Sequence, residues 1–547
     1  MEDNEKRDQN KKSSTNRAKG GSDRSAKNFK NEGKGKPKFN RKDGWKDGGD
    51  ASKKKDEAFF KSKVNDDKWY GTPEQIKASA SLSYYNPLGN GIDVGFHEQN
   101  GLAVNNKRDD HVFVPGIMAM YYGNSLGYQD SAFDAPNVAA NQTYVFIRHL
   151  NSGSTNYESS DSMLYFMAMD DIYSHLAQIC RLYGVAMYYK QANRYVPRAI
   201  FEAHGIDYDD FIEHINTYYY RLNVLIRQVN TLPVPKVFTL YERHLWLCSN
   251  IFKDGPDDKA AILLPINTVI KTYSPKTSTT GGELIADYAF APTVTPGSKL
   301  SVILDKLQSI INAMIQDEDI GTIGGDVRKA YGDSGLFHIA EIPQDYSVEP
   351  IWSNEFLDQW QHVSTPFTST ADVSATALQN IFNITQVNNR IQQLGLQYSS
   401  TRSFEYHVLD KAVLNAYEEL PSASYTMRAT RFLPIAGITN VTYGTEIPLF
   451  LAVGRFYRGE TDKQITWRMQ GTFYDPNSGS IPVDSLINIC DMTKFDRHPY
   501  VYYATVTGPA DQLVRTVEVV GDVENYTTID YTSLSKMNTT AILTAFG

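Results

Sequence analysis

The sequence predicts an α+β protein with a mainly helical part, a β-rich C-terminal portion and a disordered basic N-terminal arm in front of both. Three observations lead to this fold class. Apolar residues recur at three- and four-residue steps in several segments between residues 169 and 420, which is the period of a helix, whereas extended segments and loops are expected at 69–145. After about residue 420 apolar residues alternate with polar residues, as in a half-buried strand. Residues 1–68, in contrast, contain few apolar side chains and many lysines.

Residues 1–68 form the predicted arm, whose charge is opposite in sign to that of the remaining chain. Residues 1–55 contain 18 Lys+Arg and 9 Asp+Glu, a net charge of +9, whereas residues 56–547 carry −18. Because so little apolar surface is available for burial, chain entropy is not offset and we expect disorder. Mobile cations neutralise phosphates without reading bases, so the arm is expected to bind nucleic acid non-specifically. The candidate contacts are Lys11, Lys12, Arg17, Lys19, Arg24, Lys27, Lys30, Lys34, Lys36, Lys38, Arg41 and Lys42.

Two amphipathic helices are predicted within residues 69–253. The first carries apolar residues at positions 169, 172, 176, 179, 183 and 187, with Ser160 or Asp161 as its cap and Pro197 beyond its end. The second has an apolar stripe over residues 211–229, with Asp207 as its cap and Pro233 as its stop. The stripes span too few turns for a coiled coil, so each is expected to face a core.

The positions of turn-forming Gly and Pro residues distinguish the next two regions. Residues 254–298 contain Gly-Pro, Ser-Pro and Pro-Gly dipeptides, which predict a loop-rich connection or insertion. Residues 299–420 are predicted to be helical, beginning with a helix whose apolar side runs from Leu300 to Met314. Two further helices are expected at about 372–394 and 403–420, closed by Gly395 and Pro421.

Residues 421–547 form the predicted strand-rich region. The alternation is clearest at 464–473, where Ile465, Trp467 and Met469 are separated by polar residues. Four more strands are expected, at 449–456, 501–507, 513–520 and 526–531.

The search for chemistry predicts no enzyme, no cofactor and no metal site. His97-Glu98 lacks the second histidine of a zinc-protease helix, and the cysteines at 180, 248 and 490 lack the spacing of zinc ligands. Cys180 is expected to be a small buried apolar residue. The sequence Gly-Asp-Ser-Gly at 332–335 occurs around nucleophilic serines but is more typical of a turn. The acidic run 317–319 is expected to be a solvated helix end, and Asp170-Asp171 to be ordinary helix charges.

Short polar and aromatic motifs are spaced along residues 146–251, about a fifth of the chain. They are Phe146-Ile147-Arg148-His149, Asn151-Ser152-Gly153, Asn156-Tyr157, Leu164-Tyr165, Ala168-Met169-Asp170, Tyr173, Arg181-Leu182-Tyr183-Gly184, Asn193-Arg194-Tyr195-Val196-Pro197, Gly205-Ile206-Asp207, Arg243-His244-Leu245-Trp246 and Ser249-Asn250-Ile251. In this order and spacing the stretch resembles the capsid protein of picobirnaviruses. The basic start and the total length also fit that family.

The resemblance implies a coat protein that assembles as symmetric dimers into an icosahedral shell enclosing double-stranded RNA. It implies a helical shell part, a protruding part and a basic N-terminal segment that faces the RNA. The expected location is then the virion, with the host cytoplasm during assembly. From the residues themselves, Arg148, His149, Arg181 and Arg194 are expected to act structurally, as buried ion-pair partners or interface contacts.

Other classes of function remain open from the sequence alone. A cellular RNA-binding or chaperone-like protein with a basic tail shares the arm but predicts small soluble oligomers. An enzyme tethered to nucleic acid predicts a deep polar pocket with shifted titratable groups. The arm also fits a solubilising tail or a nuclear-import signal. No run approaches the roughly 18 apolar residues of a membrane helix, so no stable membrane insertion is predicted.

Overall fold

The computed structural model describes most of the chain after residue 115 and short pieces before it. The described residues are 71–75, 91–93, 111–113, 116–127, 129–153, 155–189, 196–257, 260–277, 281–292, 297–365, 374–394, 411–416, 421–433, 444–458, 463–474, 483–507, 514–521 and 525–546. The chain divides into one unit at residues 1–84 and a second at residues 85–547. In the first unit, the Thr72 backbone N–H donates to Gln75 Oε1 at 3.2 Å. The helices and strands named below all belong to the second unit.

Helices dominate the described residues up to about residue 361, as the periodicity predicts. They are α1 (Ala135–Leu150), α2 (Ser159–Tyr188), α3 (Val196–Ala203), α4 (Tyr208–Glu213), α5 (Ile215–Val229), α6 (Thr239–Ser249), α7 (Leu300–Gln316), α8 (Glu318–Tyr331), α9 (Asn354–Gln361), α10 (Ala375–Phe382), α11 (Ala423–Ala429), α12 (Val483–Met492) and α13 (Tyr531–Ala545). Together with the strands they give the α+β fold that the sequence predicts.

The strands come from all along the second unit. They are β1 (Gly91–Asp93), β2 (His111–Phe113), β3 (Ile117–Asn124), β4 (Phe252–Lys253), β5 (Ile262–Asn267), β6 (Val269–Ser274), β7 (Glu283–Tyr288), β8 (Ile351–Trp352), β9 (Ile384–Val387), β10 (Arg390–Gln392), β11 (Lys411–Asn415), β12 (Glu446–Arg458), β13 (Lys463–Gln470), β14 (Phe473–Tyr474), β15 (Val501–Thr507), β16 (Val514–Val520) and β17 (Tyr526–Asp530).

A six-stranded mixed sheet lies at the centre of the fold, in the order β13-β12-β3-β5-β4-β8. Its strand β3 pairs with β12 in antiparallel and with β5 in parallel orientation. All eight residues of β3 are buried. Side chains at 117, 119 and 121 belong to one hydrophobic cluster and those at 118, 120 and 122 to another. Because both faces are covered, β3 is a continuous apolar and aromatic run from Ile117 to Tyr122 instead of alternating with polar residues.

Helix α2 is the longest described helix, and most of its residues are buried all round. It packs against α1, α6 and strands β5 and β6. A helix enclosed on all sides needs no polar face, so its predicted apolar stripe is only one part of its buried surface. The remaining strands form smaller sheets, in the orders β10-β9-β7-β6, β14-β15-β16, β11-β17 and β1-β2.

Several predicted elements are confirmed, with changes at their ends. Strands β12, β13, β15, β16 and β17 lie where alternation places them, and α7 matches the predicted helix at 300–314. Helix α2 is capped by Glu158 in a capping box with Asp161, so neither Ser160 nor Asp161 is the cap. Asp207 caps α4 as expected, accepting from the N–H groups of residues 209 and 210. The second predicted helix breaks at His214 into α4 and α5.

Two predicted helices are wrong. Among the described residues 374–394 the one helix is α10, and the hairpin β9–β10 follows it. Asn388 and Asn389 form its turn with φ of 51° and 57°, a pair that favours a tight hairpin over helix continuation. Within 403–420 the described residues form strand β11, which pairs with β17, while 403–410 lie outside the described part. Residues 411–415 form a strand because they pair with β17, which lies far along the chain. A prediction from neighbouring residues alone does not include that partner.

The region 254–298 is also more ordered than a loop-rich connection. It contains β5, β6 and β7, and all six residues of β5 are buried. Parallel pairing with β3 explains why β5 is a continuous apolar run between turn residues. Residues 421–547 are strand-rich as predicted but also contain α11, α12 and α13. The division of the chain into domains at the predicted boundaries stays a prediction.

Candidate functional site in the helical core

Arg181 lies inside the molecule with 0% of its surface exposed. Its Nη1 group donates to the carbonyls of Leu247 at 3.3 Å, Asn250 at 3.1 Å and Pro265 at 2.8 Å. Its Nη2 lies 2.9 Å from His204 Nε2. The guanidinium therefore joins α2 to the C-terminal end of α6, to β5 and to the residue that follows α3.

The charge of Arg181 is stabilised by dipoles instead of a carboxylate. Burial lowers the pKa of Arg181 to about 10, although Cys248 and Tyr122 raise it in part. Burial and Arg181 lower the pKa of His204 well below its usual value. His204 is thus neutral: its Nδ1–H donates to the Ile200 carbonyl at 2.7 Å and its Nε2 accepts from Arg181. A cation at the end of α6 also complements the negative end of that helix dipole.

A second buried cluster connects α2 and α6 with strand β12. His244 Nδ1 lies 2.8 Å from both carboxylate oxygens of Asp170, and His244 Nε2 lies 3.7 Å from Glu446 Oε1. Arg243 Nε donates to the same Glu446 oxygen at 2.9 Å. Asn124 Nδ2, at the end of β3, donates to Asp170 at 3.1 Å. Each carboxylate in the cluster thus has polar partners, with Arg243 beside Glu446 and the His244 ring and the Asn124 amide beside Asp170, which is how a buried charge is tolerated.

Glu446 is the most enclosed member of this second cluster, with 0% of its surface exposed. Burial raises its pKa, but Arg243, Arg431 and His244 lower it by more and hold it at about 2. Its second oxygen accepts from Thr445 Oγ1 at 2.7 Å and lies 3.8 Å from Arg431 Nη2. The carboxylate is therefore ionised at neutral pH, and loss of a partner would leave an unpaired buried charge.

A buried ion pair joins α2 to β6. Lys271 Nζ lies 3.2 Å from Asp171 Oδ1, and the Lys271 backbone N–H donates to Asp171 Oδ2 at 2.7 Å. One turn further on, burial lowers the pKa of His175, whose Nδ1 lies 2.7 Å from the Asp171 carbonyl. Asp170 and Arg181 lie within about 20° of each other around α2, whereas Asp171 and His175 lie about 100–140° from Asp170, so these polar clusters fasten two sides of the helix.

His362 makes a comparable tie outside α2. Its Nε2 accepts from the Asn415 backbone N–H at 2.8 Å, and its Nδ1–H donates to the Asp358 carbonyl at 2.6 Å. Burial lowers the pKa of His362 to about 4, so the ring is neutral at pH 7. This neutral imidazole holds β11 against the end of α9.

Residues of the picobirnavirus-like motifs divide into buried and exposed sets. A Cβ on Gly184 would lie 2.4 Å from Val348 Cγ2, so only glycine permits this contact of α2. Arg181 is buried as expected, although its partners named above are carbonyls and an imidazole. Arg148 and His149 are exposed at the end of α1, so of the two expected roles they are not buried ion-pair partners, and the role of interface contact stays a prediction. Arg194 lies outside the described residues.

The motifs considered for catalysis or metal binding have structural explanations where they are described. Gly332-Asp333-Ser334-Gly335 forms a turn after α8 with Ser334 exposed, which confirms the turn. Asp317 caps α8 and accepts from the N–H groups of residues 319 and 320, so the acidic run belongs to a helix end. His97-Glu98 lies outside the described residues. Among those that are described, no group of three or more His, Cys, Asp or Glu is placed to hold a metal ion.

A narrow crevice lies beside the N-terminal end of α2. Asp161, Tyr273, Lys276, Asp319 and Gln386 contribute to its lining. Its free volume is about 10 Å³, which accommodates one water molecule but not a substrate of ordinary size. Within the described part of the chain, none of the helices combines the length and the apolar character that crossing a bilayer requires.

Sequence reasoning missed the buried role of Asp170 and Asp171 and the contributions of Lys271 and Glu446. The two aspartates differ by about 100° around α2, so each meets a different neighbour. Two adjacent carboxylates in a mostly apolar 30-residue helix were the available signal, since buried charges need partners. The arm residues from Lys11 to Lys42 lie outside the described residues, so their contacts stay a prediction.

Comparison with known proteins identifies the family. A sequence profile described as "Picobirnavirus, Capsid protein" matches residues 69–394, more than half of the chain. The chain belongs to the picobirnavirus capsid protein family. This membership confirms the resemblance seen at residues 146–251.

Two known proteins are similar to this chain, one in sequence and one in fold. The capsid protein precursor of Human picobirnavirus (strain Human/Thailand/Hy005102/-) is 27% identical over 296 residues, which are 54% of this chain and 53% of that protein. The chain thus spans about half the length of this curated relative. An X-ray crystallographic structure of the picobirnavirus capsid aligns with a TM-score of 0.73 at 22% identity, over 88% of this chain and 98% of the other. The two chains therefore share a fold.

Proposed function

We propose that the chain is a coat protein that self-assembles as symmetric dimers into an icosahedral shell enclosing double-stranded RNA. Membership of the capsid family over residues 69–394 is the observation that carries this proposal. The proposed role is structural and non-enzymatic. The proposed location is the virion, with the host cytoplasm during assembly.

The packing of the second unit suits a shell component. Helix α2 is fixed by Arg181, by the Asp170–His244–Glu446 cluster and by the Asp171–Lys271 pair. A block held in this way resists bending, because breaking a buried charge pair costs about 3–5 kcal/mol. Large apolar side chains also remain exposed, among them Val145 at 63%, Tyr220 at 70% and Tyr526 at 64%. Exposed Tyr and aliphatic groups are typical of surfaces that other subunits cover.

Symmetric dimers require one surface patch that binds its own copy. Such an isologous interface is expected to bury about 2,000 Å² or more in total if the dimer is obligate. Sedimentation of the purified chain under conditions that prevent shell formation should therefore give a dimer. A chain that stays monomeric at micromolar concentration until it enters shells would contradict the symmetric-dimer proposal.

The arm is proposed to contact RNA without sequence preference. Residues 1–55 carry +9 and the remaining chain −18, so the acidic body alone would repel a polyanion. Flexible cations attract it through counterion release, which weakens steeply with salt. RNA binding by the full chain should thus fall with rising ionic strength and be similar for RNAs of unrelated sequence.

Electron microscopy and nuclease protection test both parts of the proposal. The full chain should form uniform closed shells, whose absorbance ratio at 260 and 280 nm after nuclease treatment reports the packaged RNA. A chain without residues 1–55 should keep its fold and lose most of that RNA. A matched control keeps the arm length but replaces its lysines and arginines with glutamine, and should lose RNA equally. Absence of shells in a broad salt and pH screen would refute the capsid function. Equal RNA content in shells of the full chain, the truncated chain and the glutamine variant would refute the proposal that the arm recruits RNA.

A further inference from the structure

Two helix ends form an exposed basic surface on the second unit. The basic face is defined by Val145, Arg148 and Leu150 of α1 and by Arg328 and Lys329 of α8. Val145 is 63% exposed and Leu150 is 41% exposed, and the three cations are exposed as well.

The two helices that carry the basic face are in contact with each other. The side-chain amide of Asn151, which follows α1, donates to the Asp326 carbonyl of α8 at 3.1 Å. The rings of Phe146 and Tyr331 lie 5.0 Å apart between their centres. Asp333 lies 3.8 Å from Arg328, whereas Arg148 and Lys329 form no ion pair with any described residue. The face therefore combines unpaired positive charge with apolar surface.

A second exposed surface has the opposite charge. The acidic face is defined by Asp207, Asp209, Ile212 and Glu213 at α4 and by Tyr220 of α5. Ile212 is 41% exposed and Tyr220 is 70% exposed, and both Asp209 and Glu213 are exposed.

Cations near the acidic face neutralise only part of it. Arg198 pairs with Asp209 at 2.6 Å, and Lys299 pairs with the buried Asp210 at 2.9 Å. His214 lies 3.5 Å from Asp210. The carboxylates of residues 207, 209, 210 and 213 still outnumber the two permanent cations, so the surface keeps a negative balance beside its exposed apolar groups.

The two faces lie towards opposite ends of α2. The basic face is near its N-terminal part, since Tyr165 donates to the Pro233 carbonyl and Gly324 of α8 packs on the same proline. The acidic face is near its C-terminal part, where the Tyr183 ring lies 5.5 Å from the ring of Tyr219 in α5. At 1.5 Å rise per residue, Tyr165 and Tyr183 are about 27 Å apart along the axis. One chain thus cannot close this contact on itself.

We propose that the basic face of one copy binds the acidic face of the next copy in a head-to-tail contact. The contact rests on the proposed self-assembly and adds to it the residues that join neighbouring subunits. Complementary surfaces at different places on one chain give a heterologous interface, which closes into rings when the rotation per subunit permits. Because residues 56–547 carry −18, copies repel one another unless their contacts bring opposite charges together.

A second copy fits the basic face better than RNA does. The face presents the aliphatic side chains Val145 and Leu150 beside Phe146, which is 44% exposed, and these apolar groups gain from burial against protein. Asp333 lies 3.8 Å from Arg328 and would repel phosphate. The acidic face supplies carboxylates for the cations and apolar groups that pack against Val145 and Leu150.

Charge reversal tests the contact. Arg148→Glu with Lys329→Glu reverses the basic face, and Asp209→Lys with Glu213→Lys reverses the acidic face. Each pair should reduce the yield of shells about tenfold or more, because like charges then meet across the contact. The chain with all four substitutions restores opposite signs and should recover most of the yield. Val145→Asn, which changes no charge, should reduce the yield as well if the basic face is buried between subunits.

The matched control is Lys411→Glu with Lys536→Glu, which makes the same change in net charge on exposed residues outside both faces. Circular dichroism and melting curves establish that every variant is folded. If the wild-type chain forms no shells, the proposed capsid function is refuted, and so is the proposed contact that rests on it. If the wild type assembles and either reversed pair assembles equally well, the contact alone is wrong. A fourfold variant that stays as defective as the pairs also overturns it, as does a reversed basic face that leaves shells intact but lowers their RNA content.

Discussion

Replacement of Arg181 by methionine should destabilise the protein, and the structure allows the size of the effect to be worked out. Burial moves the pKa of Arg181 from 12.5 to about 10, which corresponds to about 3 kcal/mol against the charged form. Three N–H groups of the guanidinium oppose this penalty, the two on Nη1 shared among three carbonyls and one on Nη2 that donates to His204. A hydrogen bond from a charged donor contributes about 1.5–3 kcal/mol, so together these hydrogen bonds exceed the burial penalty by about 2–6 kcal/mol.

The assay is thermal unfolding of the unassembled full chain. With an unfolding entropy of about 2.1 cal/mol/K per residue, a loss of about 2–6 kcal/mol lowers the Tm of a folded unit of this size by roughly the same number of degrees. Arg227→Met is the control, since Arg227 is 69% exposed and pairs only with Glu341 among the described residues. Its Tm should equal that of the wild type. An Arg181→Met protein that also melts within about 1 °C of the wild type would refute the reasoning, because a loss of about 2–6 kcal/mol should lower the Tm by more than that at the expected unfolding entropy.

Three further predictions concern buried titratable groups. The pKa of Glu446 in the folded chain is held at about 2, below the ordinary 4.5. The ionised carboxylate therefore stabilises the folded chain fully above pH 4.5, and this contribution of about 3 kcal/mol to the free energy of unfolding is lost as pH falls towards 2. In Glu446→Gln the free energy of unfolding should not show this pH-dependent loss. The folded pKa of His362 is about 4 against an ordinary 6.5, so the unfolded chain takes up the proton first and stability falls between pH 6.5 and 4. His362→Gln, which keeps an acceptor, should flatten that interval in urea titrations. Of the three thiols, only exposed Cys490 should react with a disulfide reagent in the native chain, because burial raises the pKa of Cys180 to about 12 and of Cys248 to about 11.

Each of these has a clear contrary result. A Glu446→Gln protein whose urea midpoint depends on pH as the wild type does below pH 4.5 would show that the Arg243 and Arg431 partners do not hold the carboxylate ionised. An unchanged slope between pH 6.5 and 4 for His362→Gln would show that another group governs that interval. Rapid reaction of two or three thiols before unfolding would mean that the core around Cys180 and Cys248 opens readily.

Local patterns located many elements but not the way they join. Helix α7 and strands β13 and β15 depend on near-neighbour periodicity, which a short window contains in full. The central sheet combines β3, β5 and β12, whose residues start at 117, 262 and 446. Nothing local states that these three runs are neighbours. The same reason explains β11: its residues become a strand because β17 pairs with them, more than a hundred residues later.

The candidate site was predictable in part. The motifs at 146–251 pointed to the capsid family, and the profile match confirms it. They also contained Asp170, Arg181 and His244, but of these only Arg181 was expected to act structurally, and Asp170 was expected to be an ordinary helix charge. Arg148 and His149 were expected to be buried ion-pair partners or interface contacts, and the sequence left these alternatives open because an exposed helix end and a buried one have the same local sequence character. The structure shows that both residues are exposed.

The sequence by itself determined the charge asymmetry of the chain, the periods of its main helices and strands, and the family to which it belongs. These properties follow from composition and from residues close together along the chain. Only the tertiary structure decided which ionisable groups are buried and what balances them. Arg243 meets Glu446 across 203 residues, and Asp171 meets Lys271 across 100. Such pairs exist because the fold removes water from both partners at once, and a buried charge without its partner would cost more than the marginal stability of a domain allows.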